Sequence, residues 1–409
     1  MVLDFKEVMF GDFHIHSRFS RACSKDLTIE NLIKWAKIKG LNILGTGDFT
    51  HPIWIQDIKS KLKPNGKGLY FYEDFPFIIT GEISFMYSQN GRGRKVHLVL
   101  LVPSLEIAEK INSYLDTKGR RDYDGRPIFG ISCEDFVKEM MEISRDIEII
   151  PAHIWTPHFG VFGSISGFDS LKEAFGEQVE NIHAIETGIS SDREMNLKIK
   201  ELIDRNISIV SFSDAHSFWP HRLGREATIF KKTDSFQELL RQIRENDIIG
   251  TVETEPAYGK YHWDGHRNCN FSCSPKESKK LSGICPVCKK LLTIGVENRV
   301  EFLSNGTGKE DKIEFKVLPL HEILSLAFDI GLNSKKIWGI YDSLIKNFGN
   351  EFNILLNVSK EDFLKKEVDE KLIKLILKNR EGNIKVKPGF DGEYGKAIIG
   401  EKQGTLFFG

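Results

Sequence analysis

The feature that most constrains this chain is a series of short apolar segments, each of which carries a histidine or an acidic residue at one end. The segments cover residues 8–13, 43–46, 77–80, 96–102, 147–151 and 207–212, and the polar residues are His14, His16, Asp48, Glu82, His97, His153, Asp214 and His216. Apolar segments of this length are typical of buried β-strands. Parallel strands that close into a barrel bring their ends together at one rim, where residues distant in sequence meet. The pattern therefore predicts one site built from many strands.

The residue types at these ends favour a transition-metal site, because imidazoles and carboxylates together suit zinc, manganese or iron better than calcium. His14 and His16 stand two residues apart, as do Asp214 and His216, and residues i and i+2 of a strand share a face. Glu82 has two carboxylate oxygens and could bridge two ions. A lone histidine is more often a hydrogen-bonded core residue, but two such pairs at strand ends are difficult to explain by packing alone. We therefore predict a metallohydrolase with a multinuclear site.

The order of the segments predicts the fold class and the domains. Strand-like and helix-like segments alternate up to about residue 250, which is typical of an α/β fold with a parallel sheet. We count about seven strands, close to a barrel. A cysteine-rich segment follows, then residues 298–312, which are polar and predicted to form a loop, and then a mainly helical remainder. We expect a metallohydrolase barrel over residues 1–255, a four-cysteine zinc module over 256–297 and a small helical domain over 298–409 that is a candidate for DNA contact.

Four of the six cysteines lie within a segment of twenty residues: Cys269, Cys273, Cys285 and Cys288. Their Cys-x3-Cys and Cys-x2-Cys spacing is typical of a structural zinc site, whereas clustered free thiols are the alternative. The intervening residues could not bury a core alone, so the metal would supply the folding energy. His262 and His266 are close enough in sequence to replace one thiolate.

Charge and hydropathy narrow the functional classes. The chain of 409 residues has a formal net charge of −1, so the whole chain lacks the basic character of a nucleic-acid-binding protein. Lysines around the cysteines give a local basic surface that could contact phosphates or could simply be solvated: Lys276, Lys279, Lys280, Lys289 and Lys290. No apolar run reaches the about 18 residues of a membrane span. The N-terminus lacks the features of a signal peptide, and we expect a cytoplasmic location.

The same motifs resemble those of the PHP (polymerase and histidinol phosphatase) metallohydrolases. In order they are GDFHIHS, GTGDFTH, TGEIS, KVHLVLL, PAHIW and SFSDAH, within residues 8–225. The resemblance implies a distorted (β/α)7 barrel with a trinuclear centre that hydrolyses phosphoesters. It implies one ion held by His14, His16, Glu82 and Asp214, and a second held by Glu82, His97 and His153.

The ligands of a third ion follow the PHP pattern less closely. Many PHP proteins carry Thr-Asp-His where this chain has Thr46-Gly47-Asp48-Phe49. The resemblance therefore assigns the third ion to His216 together with Asp48 or His51. It also implies an acid or histidine soon after the first histidine pair, where Asp26 is the available residue.

The expected chemistry follows from the charge of the ions. Two or three divalent ions (zinc, manganese or magnesium) would lower the pKa of a bridging water and neutralise the phosphate oxygens. The activated water would attack the phosphorus, and no protein nucleophile is needed. Asp214, Glu82 and His153 are the predicted catalytic residues, and one further zinc ion would be structural.

A PHP barrel followed by a four-cysteine module and a helical domain, with HSRFSRA, GTGDFTHP and FGSISGFDS, resembles the endonuclease Q family over almost the whole chain. The resemblance implies a metal-dependent DNA endonuclease that cuts on the 5′ side of deaminated bases (uracil, hypoxanthine and xanthine) and at abasic sites. Such an enzyme must extrude the base that it judges, at a cost that a mismatched lesion reduces.

Two other functions fit the same residues. A PHP phosphatase acting on a small phosphorylated metabolite would turn over a phosphomonoester and would not bind DNA. A non-catalytic protein that binds DNA lesions would bind without nicking in the presence of divalent metal. The segments after residue 260 favour the nuclease over the phosphatase, and the near-complete set of metal ligands favours it over a binding protein.

The last residues, KQGTLFFG, resemble a peptide that binds the DNA sliding clamp. In that peptide, a glutamine is followed by an aliphatic residue and then by two aromatic residues, which Gln403, Leu406, Phe407 and Phe408 match imperfectly. An edge strand or an unstructured tail is an equal alternative. The predicted partners are therefore damaged DNA and, through this tail, a sliding clamp.

Overall fold

The N-terminal part of the chain forms an α/β barrel, as seen in a computed structural model that describes residues 3–309 and 311–398. Its elements are β1 (Val8–Asp12), α1 (Ile29–Lys39), β2 (Ile43–Gly45), α2 (Pro52–Lys61), β3 (Lys63–Pro64), β4 (Tyr70–Tyr72), β5 (Phe75–Gln89), β6 (Arg92–Val102), α3 (Leu105–Asp116), β7 (Ile128–Phe129), α4 (Cys133–Ile143), β8 (Glu148–Pro151), α5 (Leu171–Phe175), β9 (Ala184–Glu186), α6 (Arg193–Asn196), α7 (Lys200–Asp204), β10 (Ser208–Val210), β11 (Ala227–Lys231), α8 (Phe236–Arg244) and β12 (Gly250–Glu253).

Seven strands surround the barrel lumen in the order β1, β2, β5, β6, β8, β9 and β10. Ladders join β1 to β2, β2 to β5, β5 to β6 and β6 to β8, and β9 pairs in parallel with β10. The N–H of Ile154, just after β8, donates to the carbonyl of Glu186 in β9. A parallel bridge between Ile15 and Ala215 joins the extensions of β1 and β10. The predicted seven-stranded barrel is confirmed.

The barrel is distorted because β6 runs antiparallel to both of its neighbours. Asn90 and Gly91 connect β5 to β6, and both have positive φ angles, 53° and 72°. Two central residues of this conformation form the turn that matches the twist of a β-hairpin. His97 lies midway along β6 opposite Ser84, and this pairing places it beside Glu82 at the rim.

Apolar side chains fill the lumen and cover the outside of the barrel. The lumen group is Met9, Phe13, Ile43, Ile78, Val99, Leu101, Ile150, Ala184, Val210 and Phe230, all buried, and it packs with Phe236, Leu239, Leu240 and Ile243 from α8. Alternate residues of the same strands, such as Phe10 and Leu44, point outward and belong to a separate apolar cluster. This alternation is the period-2 pattern expected of strands that are covered on both faces.

The rest of the chain adds a small cysteine-containing module, a helical region and a C-terminal hairpin. Its elements are β13 (Asp264–His266), β14 (Phe271–Cys273), α9 (Pro275–Lys280), α10 (Val296–Leu303), β15 (Ile313–Lys316), α11 (Leu320–Phe328), α12 (Lys335–Phe348), α13 (Glu351–Leu356), α14 (Lys360–Lys365), α15 (Glu370–Arg380), β16 (Lys385–Lys387) and β17 (Lys396–Ile398). The mainly helical C-terminal region is thus confirmed, while the domain boundaries stay predictions.

The prediction of a loop over residues 298–312 is wrong for its first part, which belongs to α10. Val296 and Val300 are buried and lie four residues apart, on one face of a helix. The chain then returns to the barrel sheet, because β15 pairs in parallel with β12. No helix in the described ranges is both long enough and apolar enough to span a bilayer.

Candidate metal centre

Four of the predicted ligands meet at the barrel rim. One ligating atom each from His14, His16, Glu82 and Asp214 lies within 4.8 Å of the other three. His16 Nε2 is 3.0 Å from Asp214 Oδ1 and 3.4 Å from Glu82 Oε2. His14 Nε2 is 3.5 Å from each of the same two oxygens. Residues that follow β1 and β10 and a residue in the middle of β5 therefore converge on one small volume.

A second group shares Glu82. His97 Nδ1 is 2.7 Å and His153 Nε2 is 3.2 Å from Glu82 Oε1, and the two ring nitrogens are 3.2 Å apart. The two oxygens of Glu82 therefore face different ligand groups, Oε2 the first and Oε1 the second. This is the arrangement required of a carboxylate that bridges two ions.

The chemistry of these atoms fits bound cations. His14 Nε2 is buried and has no hydrogen-bond partner among the described residues, although a buried ring nitrogen normally has one. Imidazole nitrogens and carboxylate oxygens are ligands for zinc, manganese or iron. The residues thus fit two transition-metal ions that share Glu82.

A carboxylate outside the groups orients two of the histidines. Glu186 ends β9, and its Oε1 accepts a hydrogen bond from His14 Nδ1 at 2.8 Å. Its Oε2 accepts one from the backbone N–H of His153 at 2.7 Å. A histidine that ligates a metal commonly donates its other ring N–H to a carboxylate, which fixes the tautomer. Glu186 therefore holds the Nε2 atom of His14 toward the first group.

Asp48 orients His16 in the same way. Its Oδ1 accepts a hydrogen bond from His16 Nδ1 at 2.9 Å, and its Oδ2 accepts bonds from Ser17 N–H, Ser17 Oγ and Ser20 Oγ. Burial opposes a charge on Asp48, but His16 and the serine hydrogen bonds hold the pKa of its carboxyl below the ordinary value. Since its oxygens already accept four hydrogen bonds, Asp48 positions His16 here, which differs from its predicted place as a ligand.

The backbone is strained at the rim. Asp48, His153 and Asp214 have φ angles of 46°, 31° and 49°, in the left-handed region that residues other than glycine rarely adopt. Such conformations cluster at functional sites, where the surrounding structure maintains them. Asp12 at the end of β1 holds the segment before Asp214, because its carboxylate accepts bonds from Ser213 N–H and Ser213 Oγ.

The remaining predicted ligands do not form a third group in the parts of the chain that the structure describes. His216 is next to the first group, with its ring centroid 4.6 Å from that of His16 and its Nδ1 2.9 Å from the carbonyl of Asp214. His51 is buried and stacks on Phe19 at 4.2 Å instead. Asp26 is exposed on the loop before α1 and belongs to neither ligand group. We therefore leave Asp26 and His51 out of the proposed ligand set.

Electrostatics at the rim are dominated by close opposite charges. Burial opposes the charged form of His14, but the carboxylates around it raise its pKa well above the ordinary value. Burial also opposes the charge on Glu82, and His97 and Arg126 hold the pKa of Glu82 well below its usual range. Burial lowers the pKa of His97 to about 4. At neutral pH, Glu82 is thus ionised and His97 is neutral, the states in which both can ligate a metal.

A cavity of about 520 Å³ opens beside the metal groups and is lined by His153, Asp214 and His216. Arg222 and Lys260 bring positive charge to its wall, and Glu226 also lines it. Burial raises the pKa of Glu226 to about 8. The wall therefore presents both cationic groups and a carboxyl that is largely protonated at neutral pH.

Sequence reasoning missed two residues of this centre. Glu186 lies at the end of a strand-like segment, the position that identified the other acids, so the pattern contained its signal. Arg126, whose Nη1 donates to Glu82 Oε2 at 3.0 Å, comes from a turn-rich segment without periodicity. Its position depends on long-range packing, and no local signal identified it.

Three of the four predicted cysteines meet in the structure, together with a histidine. The atoms that lie within 4.8 Å of one another belong to Cys269, Cys285, Cys288 and His266. Cys273 is buried in β14 opposite Asp264 and packs in the same cluster as Cys285, but its sulfur is not among these four atoms. His266 lies at the other end of that hairpin, next to the turn that carries Cys269. The predicted metal module is retained as a three-cysteine, one-histidine site, which also suits zinc.

Comparisons with known proteins cover both the helical region and the whole chain. Residues 319–383 match the family model described as the MJ0043 C-terminal domain. The chain is 31% identical over 287 residues to the uncharacterized protein MJ0043 of Methanocaldococcus jannaschii, a match that covers 68% of this chain and 34% of that protein. It is 27% identical over 413 residues to the uncharacterized protein YqxK of Bacillus subtilis, covering 95% of this chain and 98% of that protein.

Two solved structures match nearly the entire chain. The lesion-specific endonuclease PfuEndoQ of Pyrococcus furiosus superposes with a TM-score of 0.86 and 31% identity, and the match covers 96% of both chains. An endonuclease Q in complex with a 27-mer duplex, which has an abasic lesion at the active site, superposes with a TM-score of 0.85 and 30% identity. That match covers 96% of this chain and 97% of the other.

Proposed function

Because the chain belongs to the endonuclease Q family, we propose that it is a metal-dependent DNA endonuclease. It would hydrolyse the phosphodiester on the 5′ side of deaminated bases (uracil, hypoxanthine and xanthine) and at abasic sites. The observation that carries the proposal is the pair of ligand groups that share Glu82. These groups lie beside a cavity of about 520 Å³, in a chain that matches endonuclease Q structures over 96% of its length.

The ligand groups would hold the ions needed for hydrolysis. His14, His16, Glu82 and Asp214 would bind one ion, and Glu82, His97 and His153 a second. Divalent ions here would supply a water of lowered pKa and positive charge for the phosphate oxygens. Asp214, Glu82 and His153 are the proposed catalytic residues, because each belongs to a ligand group and the first and third also line the cavity.

Other side chains would bind and orient the substrate. Arg126 donates to Glu82 at the rim, and Arg222 brings a second guanidinium to the cavity wall. Cations placed where negative charge develops stabilise a phosphoryl transition state. His216 is 30% exposed and lies within the cavity lining, so it can accept a proton from the attacking water or return one to the leaving oxygen.

The cavity also has the properties that lesion recognition requires. A base cannot be examined inside a duplex and has to be extruded, which costs a few kcal/mol. Glu226 can offer a protonated carboxyl to an extruded base. Its Oε1 accepts from Thr254 N–H at 3.2 Å and its Oε2 from Ser211 Oγ at 3.0 Å, so its orientation is fixed.

The test is a labelled duplex that contains a single deoxyuridine or deoxyinosine, incubated with the protein and manganese, magnesium or zinc. We expect one nick on the 5′ side of the lesion, with a 3′-hydroxyl and a 5′-phosphate, and none in the undamaged duplex. Asp214→Asn should abolish nicking and retain lesion binding, because it removes one ligand and leaves the surface unchanged. Binding without nicking by the unaltered protein, or turnover of p-nitrophenyl phosphate without DNA binding, would contradict the proposal.

A further inference from the structure

The C-terminal hairpin carries two lysines in an unfavourable position. Lys387 in β16 pairs directly with Lys396 in β17, and Lys385 lies two residues from Lys387 on the same face. Like charges placed directly opposite each other destabilise an antiparallel pair. Within the described residues, neither Lys387 nor Lys396 has an acidic partner within ion-pair distance. The hairpin thus keeps two like charges side by side without a direct ion pair to either of them among the described residues.

The two lysines face a third cation across a cavity. A hollow of about 370 Å³ is lined by Lys387 and Lys396 together with Arg267 from the cysteine module. Arg267 is exposed, and the acid in the lining is Glu393. Three cations against one acid form a local basic surface in a chain whose net charge is −1.

The hairpin is fixed rather than free to move the lysines apart. Gly389 N–H donates to the carbonyl of Ala257 at 2.9 Å, and Gly395 N–H donates to that of Tyr258 at 3.0 Å. A Cβ atom at Gly395 would lie 2.1 Å from the Ala257 carbonyl oxygen, so the close approach requires glycine. Asp391 links the hairpin to the cysteine module by accepting a bond from Arg267 N–H at 2.7 Å.

The basic surface continues to the metal centre through Tyr394. Tyr394 lines both this hollow and the larger cavity that contains Asp214 and His216. Lys260 Nζ lies 4.6 Å from the centroid of the Tyr394 ring. A polyanion that occupied the metal centre could therefore extend past Tyr394 and meet cations along its whole path.

We propose that Lys387, Lys396 and Arg267 bind consecutive backbone phosphates of the DNA strand as it leaves the metal centre past Tyr394. The inference rests on the proposed function, since it requires that the substrate be a nucleic acid strand. Phosphates between the lysines would neutralise the like-charge pair. DNA binding would therefore remove the repulsion between the two lysines and stabilise the hairpin.

The test is the salt dependence of duplex binding by the full chain carrying Lys387→Gln and Lys396→Gln together. Each phosphate contact contributes about 0.9 to the slope of log K against log salt concentration, so the slope should become shallower by about 1.8. A fluorescent duplex with one deoxyuridine serves as the probe, in protein that also carries Asp214→Asn to prevent cleavage. The melting temperature should stay equal or rise, because the repulsion has been removed.

The matched control is Lys6→Gln with Lys232→Gln, which removes the same charge from exposed positions before the start of β1 and after the end of β11, at the end of the barrel away from the metal ligands. The control should leave the slope unchanged. An equal loss of slope in both double variants, or no loss in the hairpin variant, would overturn the inference.

These outcomes separate the inference from the proposed function. One outcome is that the unaltered protein nicks no lesion while the hairpin variant still shows a shallower salt dependence of duplex binding. That result would support the proposed DNA-binding surface and contradict the proposed activity. If the unaltered protein nicks at lesions and the slope does not change, the activity stands and the surface is wrong.

Discussion

Glu82 has a central role at the scale of single residues, because its two oxygens face different ligand groups. A second carboxylate, Glu186, belongs to neither group. It accepts hydrogen bonds from His14 Nδ1 and from the backbone N–H of His153 and so orients both residues. Partners of this kind set the tautomer and direction of the ligand, and their loss is felt as weaker metal binding.

The first prediction concerns Glu186→Gln. Its side-chain amide could orient with oxygen toward only one of the two N–H donors, so His14 would lose a charged acceptor and its preferred tautomer. We expect metal affinity or activity to fall by about 10–100-fold. Titration of the metal-free protein with zinc or manganese by calorimetry measures this.

The control for Glu186→Gln is Glu194→Gln, an exposed acid on α6 whose removal should leave metal affinity unchanged. Unaltered affinity in Glu186→Gln would show that His14 is held without this carboxylate, and the positioning role would then be wrong.

At the scale of elements, the cysteine module shows how a hairpin selects among candidate ligands. Cys273 and His266 lie on β14 and β13, but Cys273 pairs with Asp264 while His266 pairs with Phe271. Both side chains project from the same face of the hairpin, and the contact that distinguishes them is that of His266, whose Nδ1 lies 3.4 Å from Cys288 Sγ. The end of the hairpin next to Cys269 determines that His266 joins the group.

The second prediction follows from this arrangement. His266→Ala and Cys285→Ser should each lower the zinc content by one equivalent and destabilise the module, since such small modules depend on the metal for folding. Cys273→Ser should keep the zinc. Measurement of the zinc content together with the thiolate-to-cobalt absorption of cobalt-substituted protein distinguishes the variants.

Loss of zinc from Cys273→Ser, with full zinc in His266→Ala, would restore the original four-cysteine assignment. The melting temperature of the barrel should change little in either variant, which serves as the control for general misfolding.

At the scale of the whole molecule, a buried ion pair joins the barrel to the helical region. Lys39 Nζ at the end of α1 is 2.7 Å from Glu351 Oε1 in α13, and both side chains are almost fully buried. Glu351 also accepts a hydrogen bond from Tyr341 Oη at 2.8 Å. Removal of one partner of such a pair leaves the other charge buried without compensation.

The third prediction compares two lysines of the same helix. Lys39→Met should lower the free energy of unfolding by about 3–5 kcal/mol, because Glu351 remains buried. Lys37→Met is the matched control, and its loss should be far smaller because the Lys37–Asp74 pair is largely exposed. Urea unfolding measures both, and equal losses would show that the buried pair does not contribute to stability beyond an exposed one.

The fourth prediction concerns acid. His221 lies where the barrel meets α11, with its ring centroid 5.4 Å from that of His321. Burial, with the neighbouring Arg222 and His321, lowers the pKa of His221 to about 3. The unfolded chain, with an ordinary histidine pKa of about 6.5, therefore binds more protons between these two values. Stability contributed by neutral His221 is complete above pH 6.5 and falls as the pH decreases toward 3.

His221→Phe keeps an aromatic ring and removes this titration. Its melting temperature should be close to that of the unaltered protein at pH 7.5 and should decrease less between pH 6.5 and pH 5. A parallel decrease in both proteins would mean that other groups account for the acid sensitivity, and that His221 does not.

Local periodicity and residue type were enough to predict several parts of this protein. Strands with both faces covered require continuous apolar segments, so the barrel strands and the ligands at their ends, such as His14, Glu82 and Asp214, could be recognised without coordinates. The polar composition around Val296 and Val300 concealed a helix, because two buried residues are too few to establish a period.

Which of these side chains meet depends on how the whole chain packs. Contacts between segments far apart in the chain determine that β6 is inverted and that His266 lies among the cysteine ligands. Such contacts also determine that Asp26 stays outside the ligand groups and that Arg126 reaches Glu82. Local propensity does not encode these contacts, because strand pairing and loop packing are selected by the burial of the whole core. The predicted tail residues Gln403, Leu406, Phe407 and Phe408 lie outside the described residues, and clamp binding stays a prediction. The chain thus specifies its candidate ligands locally, and the packing of the barrel selects which of them share an ion.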